Sequence, residues 1–396
     1  MKQFKEVIDL IYLAKQNDVD IVLNGERLQL KVPENKSIDK NLLEEIRNNK
    51  QAIIDFLGNE NWKSKKVNEN YNKINSFDRT MISHIPLSFA QERLWFVDQV
   101  EGSVLYNLPT VIRLKGSLNK KALVHAMQTV VSRHEALRTV FKEEEGRVNQ
   151  FIKDAAGWEL SFVDDINYTQ KTVLHQYIKQ LINEPFDLSK DYMVRASLIK
   201  LSEQEHVLIV TMHHIASDAW STPIIVREVM ELYAAYIEDR PARLVPLPIQ
   251  YADYALWQRN YLCGEVLDKK IDYWENKLSD VVPLQLPTDY TRPALKTTRG
   301  AAISFNIDKK LSDQIQIFCQ QQGASLYMTL LAVFKVLMHR YSNQQDICVG
   351  TSIANRSQQE VENLIGYFVN TLALRTEVKT ESSFIELLRQ VKATTM

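Results

Sequence analysis

Cysteine is scarce in this chain. There are three, Cys263, Cys319 and Cys348, and no Cys-x-x-Cys pair among them. Zinc ribbons and thiol redox motifs are therefore unsupported, and a reducing, cytoplasmic setting is expected. Neither sign of charge is in excess, since 48 basic residues against 49 acidic leave a formal net charge of −1. That balance implies no broad basic surface for nucleic acid. The short cluster Lys63-Ser64-Lys65-Lys66 sits in a polar segment and reads as solvated linker. Long apolar runs are missing. The start, Met1-Lys2-Gln3-Phe4-Lys5-Glu6, has no apolar core behind it, so neither a signal peptide nor a membrane span is expected. There is no Gly-x-Ser-x-Gly elbow and no cysteine near a paired histidine, which argues against an acyl-enzyme.

What remains is an ordinary globular composition, 45% hydrophobic and 24% charged. The 396 residues predict two or three domains. Residues 1–60 read as a small unit of their own. Phe4, Val7, Ile8, Ile11 and Tyr12 recur at helical spacing. Val19 to Pro33 alternates around Asn24-Gly25, a strong hairpin signal. A second helix is expected from Asp39 to Leu57. No catalytic cluster lies here, so an interaction module open to strand addition, or a stabilising cap, is expected. Residues 61–84 are rich in Asn, Lys and Ser and read as a linker.

The stretch with the most chemistry is Thr211-Met212-His213-His214-Ile215-Ala216-Ser217-Asp218-Ala219-Trp220-Ser221. The apolar, β-branched run before it predicts a strand from about His206 to His214. Side chains alternate along a strand, so His213 and His214 face opposite ways and only one can reach a given cavity. That argues against a paired metal site. A tight loop follows, and Ser221 or Thr222 is expected to cap a helix with Pro223 in its first turn, running to Ile237. A lone histidine at a strand end is more often a structural hydrogen-bonder than a catalyst.

Other segments supply context. Ser88 with Gln91 fits a capping box at the head of a helix. A strand is expected at Thr110–Leu114 and an amphipathic helix from Leu118 to Val131. Arg133 and Arg138 follow it. They are either ordinary arginines at a helix C-terminus or fork-shaped partners for the Asp218 carboxylate. The strands near Met193–Ile199 and 206–214 are expected to pair through Ser202-Glu203-Gln204. Tyr251 opens a further helix whose aromatics read as packing. Beyond it come a helix from Asp272, a strand at Ala301–Ile307, a buried apolar helix at Ser325–Tyr341, strands at Asp346–Ala354 and Phe368–Val378, and a helix from Ser382.

Five ordered motifs carry a resemblance. They are Ser88-x-Ala90-Gln91-x-Arg93-Leu94-Trp95, Arg133-His134-Glu135-x-Leu137-Arg138-Thr139-x-Phe141, Met212-His213-His214-x-x-x-Asp218, Tyr251-x-Asp253-Tyr254-Ala255-x-Trp257-Gln258 and Ile365-Gly366-x-Phe368-Val369-Asn370-Thr371-Leu372-x-Leu374-Arg375. Together they resemble the core motifs of nonribosomal peptide synthetase condensation domains, over about 85–396. The wording is most similar to the subtype that joins two L-configured residues. Residues 1–60 resemble the docking domains that precede some of these domains.

The resemblance implies an α/β fold of two chloramphenicol-acetyltransferase-like lobes forming a pseudo-dimer, at 85–265 and 266–396, plus a small α-ββ-α docking domain at 1–60. It implies that the second lobe is incomplete, because a His/Gln–Pro-Phe-Glu segment and an Arg-Asp segment normally follow. It implies peptide-bond formation between thioesters held on the 4′-phosphopantetheine arms of an upstream and a downstream carrier domain, with no cofactor or metal bound directly. His214 is then the tunnel-facing histidine beside His213. Asp218 is the structural acid, with Arg133 or Arg138 as its partner, and Asn370 joins the site. Further partners implied are an adjacent adenylation domain and, through 1–60, the C-terminal peptide of an upstream synthetase protein, with no nucleic acid and no membrane. Alternatives are a related carrier- or CoA-dependent acyltransferase and a non-catalytic docking or scaffold fragment. Ala219 stands where the family usually has Gly, and a positive φ there would cost Ala roughly 1 kcal/mol.

Overall fold

The computed structural model describes residues 10, 14, 17, 19–24, 27–32, 38–58, 73–79, 82, 84–164, 171–294 and 300–396. The chain divides into two compact units, Met1–Ile74 and Asn75–Met396.

In the first unit, β1 (Asp20–Asn24) pairs antiparallel with β2 (Arg27–Lys31), with Asn24 opposite Arg27. The expected hairpin is present, and its link at 25–26 lies outside the described residues. The expected first helix, on Phe4, Val7, Ile8, Ile11 and Tyr12, also lies outside them. The single helix expected from Asp39 is instead two, α1 (Lys40–Asn48) and α2 (Lys50–Gly58). Asp39 caps the first by accepting from Asn41 and Leu42 N–H. Asn49 divides them, its carboxamide donating back to Glu45 O, the local bonding by which Asn competes with a helix. Leu10, Ala14, Val19, Leu42, Ile46 and Ile53 form the core.

The second unit begins with β3 (Ile85–Pro86), α3 (Phe89–Glu101), β4 (Asn107–Lys115) and α4 (Lys120–Arg133). It continues with β5 (Thr139–Glu144), β6 (Arg147–Ile152), β7 (Ser161–Val163), α5 (Lys171–Ile182), β8 (Val194–Ser202) and β9 (Glu205–His213). Then come α6 (Ser221–Ile237), α7 (Tyr251–Tyr261) and α8 (Gly264–Leu278). The last part holds α9 (Lys309–Gln322), α10 (Leu326–Ser342), β10 (Asp346–Ile353), β11 (Asn370–Glu377) and α11 (Phe384–Thr395).

Three sheets result, in the orders β4-β9-β8-β7, β3-β6-β5 and β10-β11. The β8–β9 hairpin turns at Glu203-Gln204 as expected, and the Ser88–Gln91 capping box is formed at the head of α3. Between α4, α6 and the four-stranded sheet lies a core that includes Leu123, Val130, Leu198, Leu208 and Ile224. Ile365 joins that core, and Tyr367 joins a neighbouring one with Leu87, Phe141 and Ile215. The segment before β11 is thus embedded in the first lobe. This is what brings distant residues to the histidine loop.

Three expectations fail here. Ala301–Ile307 is not a strand. It has no partner among the described residues, and Ile303 and Phe305 stand 92% and 82% exposed. Asp272 lies inside α8 rather than at its start. The apolar helix α10 buries only one face, Thr329, Leu331, Ala332 and Lys335, while Leu330, Val333, Phe334 and Leu337 are exposed. That one face meets β10 and α11, and among the described residues nothing covers the other.

Candidate active site

β9 delivers the histidines and stops at His213, one residue earlier than expected, so His214 opens a short 3-10 turn, His214–Ala216. The two rings still have opposite surroundings. His213 is wholly buried beside Phe186 and Tyr106, with ring centroids 5.8 and 6.3 Å away. Its Nδ1 accepts from Ile215 N–H at 3.2 Å and so caps the turn. Burial, with His214 and Arg195 adding to it, pushes His213 down to about 3, so the ring stays neutral at ordinary pH. His213 is a brace.

His214 is only half-buried. Its Nδ1 lies 2.7 Å from Ser217 O, and a carbonyl can only accept, so Nδ1 carries the proton. In the neutral ring the lone pair is then on Nε2. The Tyr367 ring meets the imidazole edge-on, centroids 4.9 Å apart at 68°. Arg93 donates to Tyr367 Oη at 3.4 Å. One nitrogen is anchored, one face is supported, and Nε2 has no hydrogen bond among the described residues.

Asp218 is buried and fully engaged. Its Oδ1 accepts from Ser221 Oγ at 2.7 Å, Ser221 N–H at 2.9 Å and Arg356 Nη2 at 3.1 Å, and its Oδ2 accepts from Phe368 N–H at 3.2 Å. A carboxylate with both oxygens engaged in this way holds geometry. Its arginine is neither Arg133 nor Arg138. Arg133 pairs with Glu228 at 3.2 Å, and Arg138 donates to the carbonyls of Lys153 and Ser132. The partner is Arg356, which also donates to Val361 O and Leu364 O at 2.6 and 2.7 Å and lies 4.0 Å over the Phe368 ring. Burial lowers the Arg356 pKa, with Asp218 opposing.

Ser221 does not cap α6; it is the helix's first residue. Its hydroxyl is instead part of the brace, accepting from Gly366 N–H at 3.2 Å. Gly366 is needed for close approach, since a Cβ there would meet Tyr251 Cδ2 at 2.0 Å. Tyr251, buried as expected for packing, also donates to Tyr367 O and shares a 2.8 Å bond with Ser88 Oγ. Burial raises its phenol pKa well above the usual value, so it stays protonated. Ser88, Tyr251, Tyr367 and His214 therefore form a line of support. Asn370 opens β11 with an exposed side chain whose Oδ1 accepts from Thr371 N–H, and no hydrogen bond joins it to the loop. Ala219 is not at positive φ, so its Cβ brings no backbone strain.

Sequence reasoning missed Arg356, Tyr367, Tyr251 and Ser221 as parts of the site. Two of them, Tyr251 and Tyr367, stand inside the quoted motifs. Arg356 had no local signal at all. Among the described residues there is no metal-competent cluster of His, Cys, Asp and Glu, and no helix long and apolar enough to cross a membrane.

Residues 81–396 match the family model described as Condensation domain. The chain is similar to one component of the linear gramicidin synthase of Brevibacillus parabrevis, 42% identical over 318 residues, 79% of this chain and 6% of that protein. A second component of the same synthase is 43% identical over 317 residues, again 79% of this chain and 6% of the relative. Bacitracin synthase 3 of Bacillus licheniformis is 37% identical over 312 residues, 78% of this chain and 5% of that protein. The chain thus spans a small fraction of the length of these curated relatives. Among solved structures, the X-domain from teicoplanin biosynthesis superposes with a TM-score of 0.73 at 29% identity, covering 82% of this chain and 72% of that one. The architecture is the two-lobed, chloramphenicol-acetyltransferase-like fold that the motifs implied.

Proposed function

This chain belongs to the condensation-domain family of nonribosomal peptide synthetases, and from that premise we propose that it joins two carrier-bound acyl groups through an amide bond. The donor is an aminoacyl or peptidyl thioester on an upstream carrier. The acceptor is an aminoacyl thioester on a downstream carrier. Both arrive on 4′-phosphopantetheine arms.

In this reading the acceptor amine attacks the donor carbonyl. The C–N bond forms, the C–S bond breaks, and the donor arm leaves as a thiol. His214 Nε2 takes the proton from the attacking amine and returns it to the departing sulfur. General base help of this kind contributes about 10²–10⁴-fold, and holding amine and carbonyl in line contributes several kcal/mol more. The observation that carries the reading is the free Nε2 of a half-buried His214 whose other nitrogen is fixed by Ser217 O. His213 and Asp218 act by holding the turn. The join is between two L-configured residues, supported by the wording of the histidine and arginine motifs, and the setting is cytoplasmic.

The first unit serves as a docking module for the C-terminal peptide of an upstream synthetase protein. Its support is that β1 and β2 pair only with each other among the described residues, leaving sheet edges for strand addition. An adenylation domain next to this one would load the acceptor carrier.

The test mixes this chain with separately loaded donor and acceptor carriers and follows dipeptidyl-carrier by mass spectrometry. Product is expected from the native chain and is lost in His214→Ala. Equal yields from the two would refute the assignment.

A further inference from the structure

A cavity of about 640 Å³ lies between the start of α6 and the end of β10. Ala219, Trp220 and Ile224 form one wall, and Ile353, Ala354 and Val369 the other. Two cross-lobe hydrogen bonds border it, Trp220 Nε1–H to Glu362 O and Arg227 Nη2 to Asn363 Oδ1, both at 3.0 Å. Two motif residues, Asp218 and Val369, are among its lining. We propose that this cavity receives an apolar side chain of a carrier-bound amino acid, and so selects which residue the chain joins.

Three observations carry this inference, which rests on the amide-forming reading above. The first is chemistry. Asp218 also lines the space, but its oxygens are already taken by Arg356, Ser221 and Phe368. Arg227, Ser352 and Glu362 are exposed residues, and Arg227 is spent on Asn363. A polar or charged group pushed between the two walls would lose water and find little in return, whereas an apolar one gains. The second is size, which falls in the roughly 300–1,000 Å³ range of small-molecule sites. That leaves room for an aromatic side chain, with Trp220 as a flat neighbour.

The third observation is continuity. Asp218 and Ala219 belong to the same loop as His214. Val369 lies just past Tyr367, whose ring supports His214, and it packs with Tyr367 and Ile215 in one core cluster. The wall of the cavity and the bed of the histidine are therefore the same two chain segments. A side chain seated in one would fix the position of its own backbone relative to the other.

The probes are pantetheine amides of phenylalanine and of glycine, titrated calorimetrically into the whole chain, into Ile353→Trp and into Ile353→Ala. The native chain is expected to bind the phenylalanyl probe about 10–100-fold more tightly than the glycyl one. Ile353→Trp should abolish that preference and leave glycyl affinity unchanged, while Ile353→Ala should retain it. Should Ile353→Trp fail to fold by circular dichroism, Ala354→Phe fills the same space from the neighbouring position. Equal affinities in the native chain, or a preference that survives filling, would overturn the pocket. Binding needs no turnover, so the two readings separate. A preference in a chain that makes no dipeptide refutes the reaction and keeps the pocket, and dipeptide formation without any preference does the reverse.

Discussion

An arginine–acid pair has a histidine close by in sequence or in space at two places in the second unit. In one place Arg133 and His134 converge on buried Glu228, at 3.2 and 2.8 Å. Burial pushes the Glu228 carboxyl up, but His134 and Arg133 outweigh it and hold it below the usual range. In the other place Arg356 holds Asp218, while His214, four residues earlier in the chain, bonds Ser217 O instead. His134 gives Nε2 to the acid, and its Nδ1 is enclosed without a partner. His214 gives Nδ1 to a backbone carbonyl and keeps Nε2 free. Each group has an arginine and a histidine, with Glu228 as the acid in one and Asp218 in the other. The two histidines differ in which nitrogen is spent and on what, and on the proposed reading that difference makes His214 the reactive one.

The strongest test of that contrast exchanges the losses. His214→Ala is expected to cut the condensation rate by about 10²–10⁴-fold while leaving the unfolding midpoint unchanged. His134→Ala should do the opposite, keeping the rate but lowering stability by about 1–3 kcal/mol in urea unfolding, because Glu228 loses a buried partner. A His134→Ala chain that is stable yet inactive would erase the distinction.

Next comes the pairing itself. Arg356→Ala leaves a buried carboxylate without its cation and is expected to cost about 3–5 kcal/mol. Adding Asp218→Leu on top of Arg356→Met should recover part of that in the same unfolding measurement, since no lone charge remains. Gly366→Ala comes third. It drives a Cβ into Tyr251 and should cost about 1–3 kcal/mol, with a slower reaction as Tyr367 shifts under His214.

The smallest effect concerns Lys335, a buried cation whose bonds go to Leu374 O and Thr376 Oγ1, both at 2.6 Å. Burial pushes its amine from 10.5 down to about 8. Below about pH 8 the folded chain carries a buried charge that the unfolded chain would keep in water, so folding is opposed. Between that pH and the ordinary lysine value, the unfolded chain binds the proton and the folded one does not, so stability rises with pH. Lys335→Met should flatten the rise seen in unfolding curves taken from about pH 7.5 to 10, and an unchanged slope would remove the assignment.

Much of this architecture could be read locally. The β-branched run before His213, the Ser88–Gln91 box and the Asn24-Gly25 alternation each depend on near neighbours, and each formed. His213 and His214 do have different surroundings, but the strand ends at His213 and His214 opens a 3-10 turn, so strand parity is not the cause. The failures share a cause. The family resemblance implies Arg133 or Arg138 as the partner of Asp218, but proximity in space is set by the embedding of the segment before β11, which no local pattern encodes. Arg356 arrives by that route. Likewise, α10 is apolar around its circumference, and periodicity alone does not say that just one face meets β10 and α11. Ala301–Ile307 alternates as a strand should, but a strand also needs a neighbour to bond.

The Asp218–Arg356 bond also bears on how such domains can be recombined. Its two halves lie 138 positions apart in the chain. Any crossover between them inherits the acid from one parent and the arginine from the other. A chimera whose second lobe carries no arginine in that place would keep the histidine motif intact and still lose the geometry it depends on. Alignment of the motif alone would not reveal the fault, so a safe exchange boundary lies before Asp218 or beyond Phe368.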